Sequence, residues 1–168
     1  MTVLRAADHK RMPWKNGGGE TVEIAVFPAD AGFDDFGWRI SMATVATDGP
    51  FSSFPGIDRT LSILSGAGVE LDIAGRSPIL MDSGSEPCLF PADMATSARL
   101  IDGPITDLNV MTRRSLFRHR VERHKEACSI APSPSLRLVL CSDGKITAGS
   151  GGQTTVLEPL DALFPDPD

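Results

Sequence analysis

Short runs of alternating apolar and polar residues follow one another along most of the chain, and the repeat of an amphipathic helix is almost absent. Glycines and prolines separate these runs, as they do between the strands of all-β proteins. The pattern predicts an all-β sandwich or barrel. The predicted strands are 21–27, 37–45, 60–65, 68–73, 78–81, 97–102, 106–112, 137–141, 145–148 and 154–157.

The order of strands and turns in the middle of the chain recurs in a weaker form near its end. Residues 61–93 give a strand, a glycine turn, two further strands and an apolar step that ends at Asp93. Residues 138–164 follow a similar course, with a turn at Asp143 and Gly144. Short alternating strands also resemble one another by chance. We interpret the echo as two related β units.

Composition and charge narrow the class of protein. With 168 residues, of which 41% are hydrophobic and 23% charged, the chain can form one substantial core or two small barrels. Sixteen basic and 22 acidic residues give a net charge of −6, which argues against nucleic-acid and anionic-membrane partners. Residues 1–13 hold no apolar stretch typical of a signal peptide or membrane span. We therefore expect a cytoplasmic protein.

The cysteines support that location. Cys88, Cys128 and Cys141 are odd in number and widely spaced, with no Cys-x-x-Cys pair among them. This usage is typical of reduced thiols rather than of a disulfide framework or a zinc site.

A polar, glycine-rich segment precedes the first predicted strand. Lys15 and Asn16 stand directly before Gly17, Gly18 and Gly19, where the missing Cβ atoms allow a close approach to the backbone. A nucleotide-binding P-loop would place its lysine after the glycines and would continue into a helix, whereas a strand begins here at Thr21. The segment is either a flexible surface loop or one part of a binding site.

Strand alternation places other polar side chains on shared faces. Arg39 and Ser41 share a face of one strand, opposite Trp38. A second strand presents a carboxylate, an amide, a thioether and a guanidinium in line, from Asp107, Asn109, Met111 and Arg113. Such a polar face is either exposed to solvent, as in many antiparallel sheets, or lines a site.

Arg59 lies on the apolar face of its strand, the face that also carries Leu61. Burying an unpaired charge costs several kcal/mol. Arg59 therefore meets an internal acid, such as Asp107 or Glu20, or it awaits an anionic ligand. Residues 51–55, just before it, contain aromatic and proline side chains that could form the wall of a cleft.

Several of these motifs, in this order, resemble the HutD/Ves family over roughly residues 14–113. They are Pro-Trp-Lys-Asn-Gly-Gly-Gly at 13–19, Trp-Arg-Ile-Ser at 38–41, Gly-Pro-Phe-Ser at 49–52, Phe-Pro-Gly at 54–56, Arg-Thr at 59–60 and Asp-Leu-Asn-Val-Met at 107–111. The resemblance implies a cupin-like fold with two β-barrel, jelly-roll units. We place these units at residues 1–115 and 116–168 and expect them to pack as one bicupin domain.

The same resemblance implies a function in bacterial histidine utilisation. Members of the HutD/Ves family are thought to act as regulators that bind a pathway metabolite. N-formylglutamate is the favoured ligand, and urocanate is the second candidate. Other members carry a stress-induced label without a defined chemistry. We therefore expect a small anionic metabolite as the partner and no cofactor.

The resemblance also places eight side chains around a cavity, supported by Glu20, Asp107 and Met111. The eight are Trp14, Lys15, Asn16, Arg39, Ser41, Arg59, Asn109 and Arg113. Guanidinium groups and a lysine can pair the two carboxylates of N-formylglutamate, while amide or hydroxyl groups can bond its formamide.

Histidine content bears on metal chemistry. Metal-dependent cupins cluster His-x-His with a further Glu and His, because three or four ligands must converge on the ion. This chain has only His9, His119 and His124, and the last two lie in a charged run, 118–126, that we interpret as a solvated strand or loop. We expect no metal site and assign no catalytic residue.

Two other classes of function stay open. One is a metal-independent cupin enzyme acting on a small acidic metabolite, in which Glu20 or Asp107 would be the base. The other is a purely structural partner protein. A homodimer is compatible with each of the three.

Overall fold

A computed structural model describes residues 1–131 and 133–165, and it consists almost entirely of β-strands. The prediction of an all-β protein is confirmed: among the described residues, the one helical element is a 3-10 turn at Ala6–Asp8. In chain order the strands are β1 (Thr2–Leu4), β2 (Lys10–Pro13), β3 (Gly19–Phe27), β4 (Trp38–Val45), β5 (Gly49–Pro50), β6 (Ile57–Ser65), β7 (Val69–Ile73), β8 (Ile79–Met81), β9 (Cys88–Pro91), β10 (Thr96–Leu100), β11 (Ile105–Arg113), β12 (Val139–Leu140), β13 (Ile146–Ser150), β14 (Gln153–Leu157) and β15 (Ala162–Phe164).

Every predicted strand is present, and five short strands were missed. The missed strands are β1, β2, β5, β9 and β15. Each has two to four residues, too few to display an alternating pattern, and each owes its extended conformation to a partner elsewhere in the chain. Near the end of the chain, β15 ends at Phe164. Residues 166–168 lie outside the described residues.

The chain divides into two compact units. The larger comprises Arg11–Arg123, and the smaller combines Met1–Lys10 with the described part of His124–Asp168. In the larger unit, a six-stranded sheet has the order β2-β3-β4-β11-β6-β9 and a four-stranded sheet has the order β5-β10-β7-β8. The smaller unit holds a three-stranded sheet, β1-β15-β12, and the hairpin β13-β14. A division at residue 115 into two cupin-like units stays a prediction.

The core of the larger unit lies between its two sheets. Leu61 and Ile63 of the six-stranded sheet are fully buried in one cluster with Leu71 and Ile73 of the four-stranded sheet. These residues occupy every second position of their strands, so alternation directs them to the inner faces. Two antiparallel sheets packed in this way form a sandwich of the jelly-roll kind, which fits the cupin-like expectation.

The central strands of the six-stranded sheet bring the predicted polar residues together. Strand β11 pairs with β4 on one side and with β6 on the other. Met111 lies opposite Arg39 on β4 and opposite Arg59 on β6, and the neighbouring pair joins Asn109 to Ser41. Residues directly opposite one another share a face of a sheet. The polar line therefore occupies the inner face and not the solvent face.

The glycine-rich segment forms the hydrogen-bonded turn of the β2-β3 hairpin. The Trp14 N–H donates to the Gly19 carbonyl at 2.9 Å, and the Gly17 N–H donates to the Trp14 carbonyl at 3.1 Å. The Asn16 side-chain oxygen accepts from the Gly18 N–H at 2.9 Å. Gly17 has a φ of +72°, which glycine adopts without steric cost. The segment is therefore a hydrogen-bonded turn and not a loop without internal contacts.

Gly19 is required for a different reason, the close approach of its neighbours. A Cβ atom at Gly19 would collide with the carbonyl oxygen of Thr44 and would stand 3.0 Å from the Trp14 ring. The indole therefore packs on the strand because no side chain intervenes.

We expect Gly19→Ala to lower the free energy of unfolding by about 2 kcal/mol or more, because the carbonyl is backbone and yields only if the sheet shifts. Urea unfolding measures the loss. The control is Gly49→Ala, where an added Cβ meets nothing within 4 Å and the change should stay within about 0.5 kcal/mol. Equal stabilities of the two variants would contradict the packing described for Trp14.

Candidate functional site

Charged and polar side chains replace the apolar core at one end of the interior of the larger unit. They project from the inner faces of neighbouring strands and are almost fully buried: Arg39 is 4% exposed, Ser41 3%, Asp107 1% and Asn109 2%. Burying such groups is costly unless they are paired. Their contacts therefore decide what this region can do.

The first contact is an ion pair between Arg39 and Glu23. Arg39 donates from Nε to Oε2 of Glu23 at 2.7 Å, and the Phe33 ring lies 4.6 Å from the Arg39 Cζ atom. A register shift between Glu23 and Ala25, where β3 pairs with β4, is a β-bulge of the kind that re-aims side chains. The sequence analysis missed Glu23. The available signal was strand alternation, which places Glu23 on the same face of β3 as Thr21. That face is the one directed inward.

The second contact is a chain of hydrogen bonds that starts at Arg59. Arg59 donates from Nε to Oδ1 of Asn109 at 2.7 Å, and Asn109 donates from Nδ2 to Oδ1 of Asp107 at 2.6 Å. The Phe51 ring stands 4.6 Å from the Arg59 Cζ atom. Of the two acids proposed for Arg59, Asp107 is thus reached through the amide. Glu20 instead pairs with the exposed Arg11 at 2.9 Å.

The interior disfavours both charges of this chain. Burial raises the pKa of Asp107 to about 6, although Arg59, the Asn109 amide and the Ala43 backbone amide all act to lower it. Burial likewise lowers the pKa of Arg59 to about 10; Asp107 opposes that shift and Arg39 adds to it. Neither group is fully compensated by its surroundings.

Both inner arginines have N–H donors that form no hydrogen bond with the described residues. Arg39 and Arg59 each use Nε alone, and among the described residues no acceptor meets their Nη1 or Nη2 atoms. The Ser41 hydroxyl also has no hydrogen-bond partner among the residues that the structure describes. Because guanidinium groups bind carboxylates through paired N–H donors, this arrangement can accept an anion.

An open cleft of about 490 Å³ lies in the larger unit, a volume within the range of small-molecule sites, and neither Arg39 nor Arg59 is among its lining residues. Phe33, which covers Arg39, lines the cleft, and so do the two serines that follow Phe51. Of residues 51–55, which were expected to form a cleft wall, 52–55 line this cleft and Phe51 does not. The full lining is Phe33, Asp34, Ser52, Ser53, Phe54, Pro55, Ile57 and Arg113.

Arg113 lines this cleft and fastens the loop in front of β4. It donates from Nε to the Phe36 carbonyl at 3.2 Å and from Nη2 to the Asp34 carbonyl at 3.1 Å. Asp107 does not hold Arg113 in place; through Asn109 it is joined to Arg59 instead. Met111 packs with Phe36 in a small apolar cluster between the two inner arginines.

The N-terminal motif lies at the other end of the strands. Gly19 is opposite Val45 on β4, which is six residues, or about 20 Å, from Arg39. Lys15 and Asn16 are exposed in the turn beyond Gly19. The structure therefore brings Arg39 and Ser41 beside Arg59 and Asn109, and joins Asp107 to them through Asn109. Lys15 and Asn16 lie beyond the opposite end of the strands from the two arginines.

Trp14 belongs to the packing of the interior. Its Nε1 donates to the Thr21 hydroxyl at 2.8 Å, and the ring packs against the main apolar cluster. It therefore forms part of the wall near the Asp107 end, where Thr21 and Asp107 both lie opposite Ala43.

The charged run 118–126 is a loop, as one alternative predicted, but His119 within it is not solvated. His119 is half-buried, with Nε2 at 2.8 Å from the Thr60 hydroxyl and Nδ1 at 2.8 Å from the Thr112 hydroxyl. Burial lowers the pKa of His119. The interpretation of this run as solvated was wrong at that residue, because two strand hydroxyls on the outer face of the sheet receive its ring.

Metal binding and membrane insertion each require a recognisable group of residues. Within residues 1–131 and 133–165, no group of three or more His, Cys, Asp and Glu side chains is placed to hold a metal ion. Nor does that part of the chain contain a helix of the length and apolarity needed to span a membrane. All three cysteines are free thiols, as predicted.

Comparison with known proteins relates the chain to one family. The family model described as HutD matches residues 6–168. An uncharacterized 21.2 kDa protein from the hutC 3′ region of Pseudomonas putida is 32% identical over 155 residues, 91% of this chain and 80% of that protein. Protein Ves of Citrobacter koseri is 38% identical over 118 residues, 68% of this chain, which spans 60% of that protein. The solved structure of HutD from Pseudomonas fluorescens SBW25 is 33% identical, with a TM-score of 0.68 over 98% of this chain and 86% of that one.

We expect Glu23→Gln to lower the free energy of unfolding by about 2–4 kcal/mol, because it leaves the buried Arg39 without its acid. The two side chains of this pair are 5% and 15% exposed. Glu70→Gln is the matched control, since its partner Arg99 is 63% exposed and such pairs contribute about 1 kcal/mol or less. Denaturant unfolding at pH 7.5 measures both variants, and a smaller loss for Glu23→Gln than for Glu70→Gln would contradict the inner ion pair.

Asp107 predicts a pH dependence of stability. Because its folded pKa is raised from 3.8 to about 6, the folded protein binds this proton more tightly than the unfolded chain does. Its ionisation therefore reduces the free energy of unfolding as pH rises from about 4 to about 6, by about 3 kcal/mol in full. Asp107→Asn should remove this component, so its stability relative to the natural protein should increase between pH 4.5 and pH 7.5. Unfolding at the two pH values measures it, and a constant difference would show that Asp107 ionises as in the unfolded chain.

Proposed function

This chain belongs to the HutD family, and on that premise we propose that it is a regulatory protein that binds a small anionic metabolite of histidine utilisation. N-formylglutamate is the favoured ligand and urocanate the second candidate. The link to histidine utilisation comes from the family and from the relative in the hutC 3′ region. The ligand class comes from the chemistry of the buried residues.

The observation that carries the proposal is the pair of inner arginines with uncommitted Nη atoms. These Nη atoms are not among the fully buried atoms without a partner, so they stay within reach of solvent or of a ligand. A carboxylate would replace their remaining hydration with paired, charge-assisted hydrogen bonds. Hydrogen bonds to charged groups contribute about 1.5–3 kcal/mol each. Two such arginines and one hydroxyl are sufficient for micromolar binding, which is about 8 kcal/mol, after the costs of association.

The spacing of the two arginines suits a ligand with more than one polar end. Arg39 and Arg59 leave strands on either side of β11, so their Cα atoms are separated by two strand spacings, about 9.5 Å. A dicarboxylate such as N-formylglutamate can engage both guanidinium groups. Urocanate has one carboxylate and an aromatic ring, for which Phe33 and Phe51 offer stacking partners.

The same residues favour a site without a metal ion. Two guanidinium groups on the inner face would repel a cation placed between them. The buried acids are engaged as well, Glu23 with Arg39 and Asp107 with Asn109. The proposal therefore assigns the arginines as the charged anchors of the ligand and Ser41 as an additional donor.

One observation favours the enzyme alternative. Asp107 has a raised pKa, which is a common property of general acids and bases. However, Asp107 is only 1% exposed, and its carboxylate already accepts the Asn109 amide. A binding role accounts for more of the geometry. The bicupin organisation, the cytoplasmic location and a homodimer stay part of the proposal on sequence grounds.

We expect N-formylglutamate at about one hundred times its dissociation constant to raise the unfolding midpoint by about 5–10 °C, because it adds about 2.7 kcal/mol to the folded state. Arg39→Met and Arg59→Met should each abolish that shift. Arg99→Met should retain it, because Arg99 is exposed and pairs with Glu70 on the other sheet. Thermal unfolding with glutamate, urocanate and unrelated dicarboxylates completes the comparison.

The outcomes separate the functions. A selective shift that both arginine variants lose supports the site, and proton NMR of the recovered ligand then distinguishes a binder from an enzyme. Unchanged ligand after hours supports binding, whereas conversion supports the metal-independent enzyme. Absence of a shift with every anion would refute the proposed ligand class.

A further inference from the structure

Asp107 is an acid within an interior built for an anion, which at first sight opposes binding. Resting on the proposed function, we propose that anion binding at Arg59 is coupled to the uptake of one proton by Asp107, with Asn109 as the connection. The ligand would then replace the negative charge that Asp107 supplies to Arg59 in the free protein.

The coupling follows the hydrogen bonds already described. Asn109 joins the two charged groups, with its oxygen 2.7 Å from Nε of Arg59 and its nitrogen 2.6 Å from Oδ1 of Asp107. An anion that binds the Nη atoms of Arg59 would therefore lie on the side of the guanidinium that faces away from Asn109 and Asp107. The ligand and Asp107 share a single cation, so each weakens the hold of the other on it.

The surroundings of Asp107 offer few other charges. On its own strand it contacts Asn109, and the positions directly opposite are Ala43 on β4 and Ile63 on β6. The cluster toward the four-stranded sheet is apolar, with Val69, Leu71 and Ile73 from β7. The charged groups of the interior are thus Arg59, then Arg39 with its partner Glu23. His119 contacts Thr60 and Thr112, on the other face of the sheet.

The charge balance gives the direction of the effect. In the free protein Asp107 has a pKa of about 6, so above that pH it is mostly ionised and compensates Arg59. An added anion raises this pKa further, because a second negative charge disfavours ionisation. One proton then passes from solvent to the Asp107 carboxylate as one ligand charge enters. For a ligand with one carboxylate the total charge of the interior is then unchanged, and for a dicarboxylate it changes by one unit instead of two.

The linkage has a defined pH window. Below about pH 6, Asp107 is already protonated in the free protein, and binding takes up no proton. Above it, affinity should fall as pH rises, by at most tenfold per pH unit, until the pKa of the complex is passed. Carboxylates of the ligand, with pKa values near 4, stay ionised throughout and do not contribute.

The test is calorimetric titration of the full chain with N-formylglutamate at pH 7.5, in Hepes and in Tris, whose ionisation enthalpies differ. The difference in observed heat gives the number of protons taken up. We expect about 0.5 to 1 proton per ligand, and a dissociation constant that rises at least fivefold between pH 6 and pH 8. The ¹³C carboxyl shift of Asp107, followed through the same pH range with and without ligand, reports its protonation directly.

The deciding variant is Asp107→Asn, which keeps the shape and the acceptor for Asn109 but cannot titrate. It should take up almost no proton, bind equally at pH 6 and pH 8, and bind at least fivefold more tightly than the natural protein at pH 8. Asp72→Asn makes the same chemical change at an exposed position of β7 and should retain the natural uptake. If Asp107→Asn does not fold, the calorimetry and the carboxyl shift of the natural protein still decide.

Two failures are distinguishable. Binding without proton uptake, or with uptake that persists in Asp107→Asn, would overturn the coupling and leave the proposed function intact. Absence of binding at pH 6 as well as at pH 8, by heat and by thermal shift, would overturn the proposed function and the coupling with it.

Discussion

The position of β11 between β4 and β6 is the constraint on which the rest of this structure depends. A strand paired on both sides has no freedom to turn, so alternation drives every second residue into the space between the sheets. In β11 those residues include Asp107 and Asn109. Arg39 and Arg59 project from its two neighbours into the same space. The charged interior therefore follows from register, and the ion pair and amide bridge are the means by which it becomes tolerable.

The charged interior does not add more to the free energy of unfolding than an apolar interior would. Apolar residues of similar volume would pack at least as well, since a buried ion pair rarely recovers the hydration that it loses. The shifted pKa values of Asp107 and Arg59 are the visible sign of that cost. The proposed anion site would account for this departure from an apolar core, because proteins retain locally unfavourable groups where a function requires them.

Sequence patterns located the inner polar residues because strand alternation is a local rule. Arg39 with Ser41, and Asp107 with Asn109, share faces by alternation alone, whichever strands are neighbours. Glu23 was missed because alternation places it on one face of β3 with Thr21, but nothing within β3 alone indicates that this face turns inward. Lys15 and Asn16 were grouped with the arginines because the family motifs suggested one cavity. Their hairpin turn, however, lies beyond the far end of the strands, and proximity of that kind depends on tertiary register.

Access to the inner arginines depends on loops rather than on strands. Phe33 and Phe51 each place a ring 4.6 Å from a guanidinium carbon, and both belong to connections between strands. A ring contact of this kind contributes about 0.5–2 kcal/mol, less than the paired hydrogen bonds of a carboxylate, and it uses the face of the guanidinium rather than its edge. The rings can therefore stay in place while an anion binds the N–H edge. Strands determine the charge of the site, whereas Arg113, by holding the carbonyls of residues 34 and 36, helps to determine how closely one of these rings covers it.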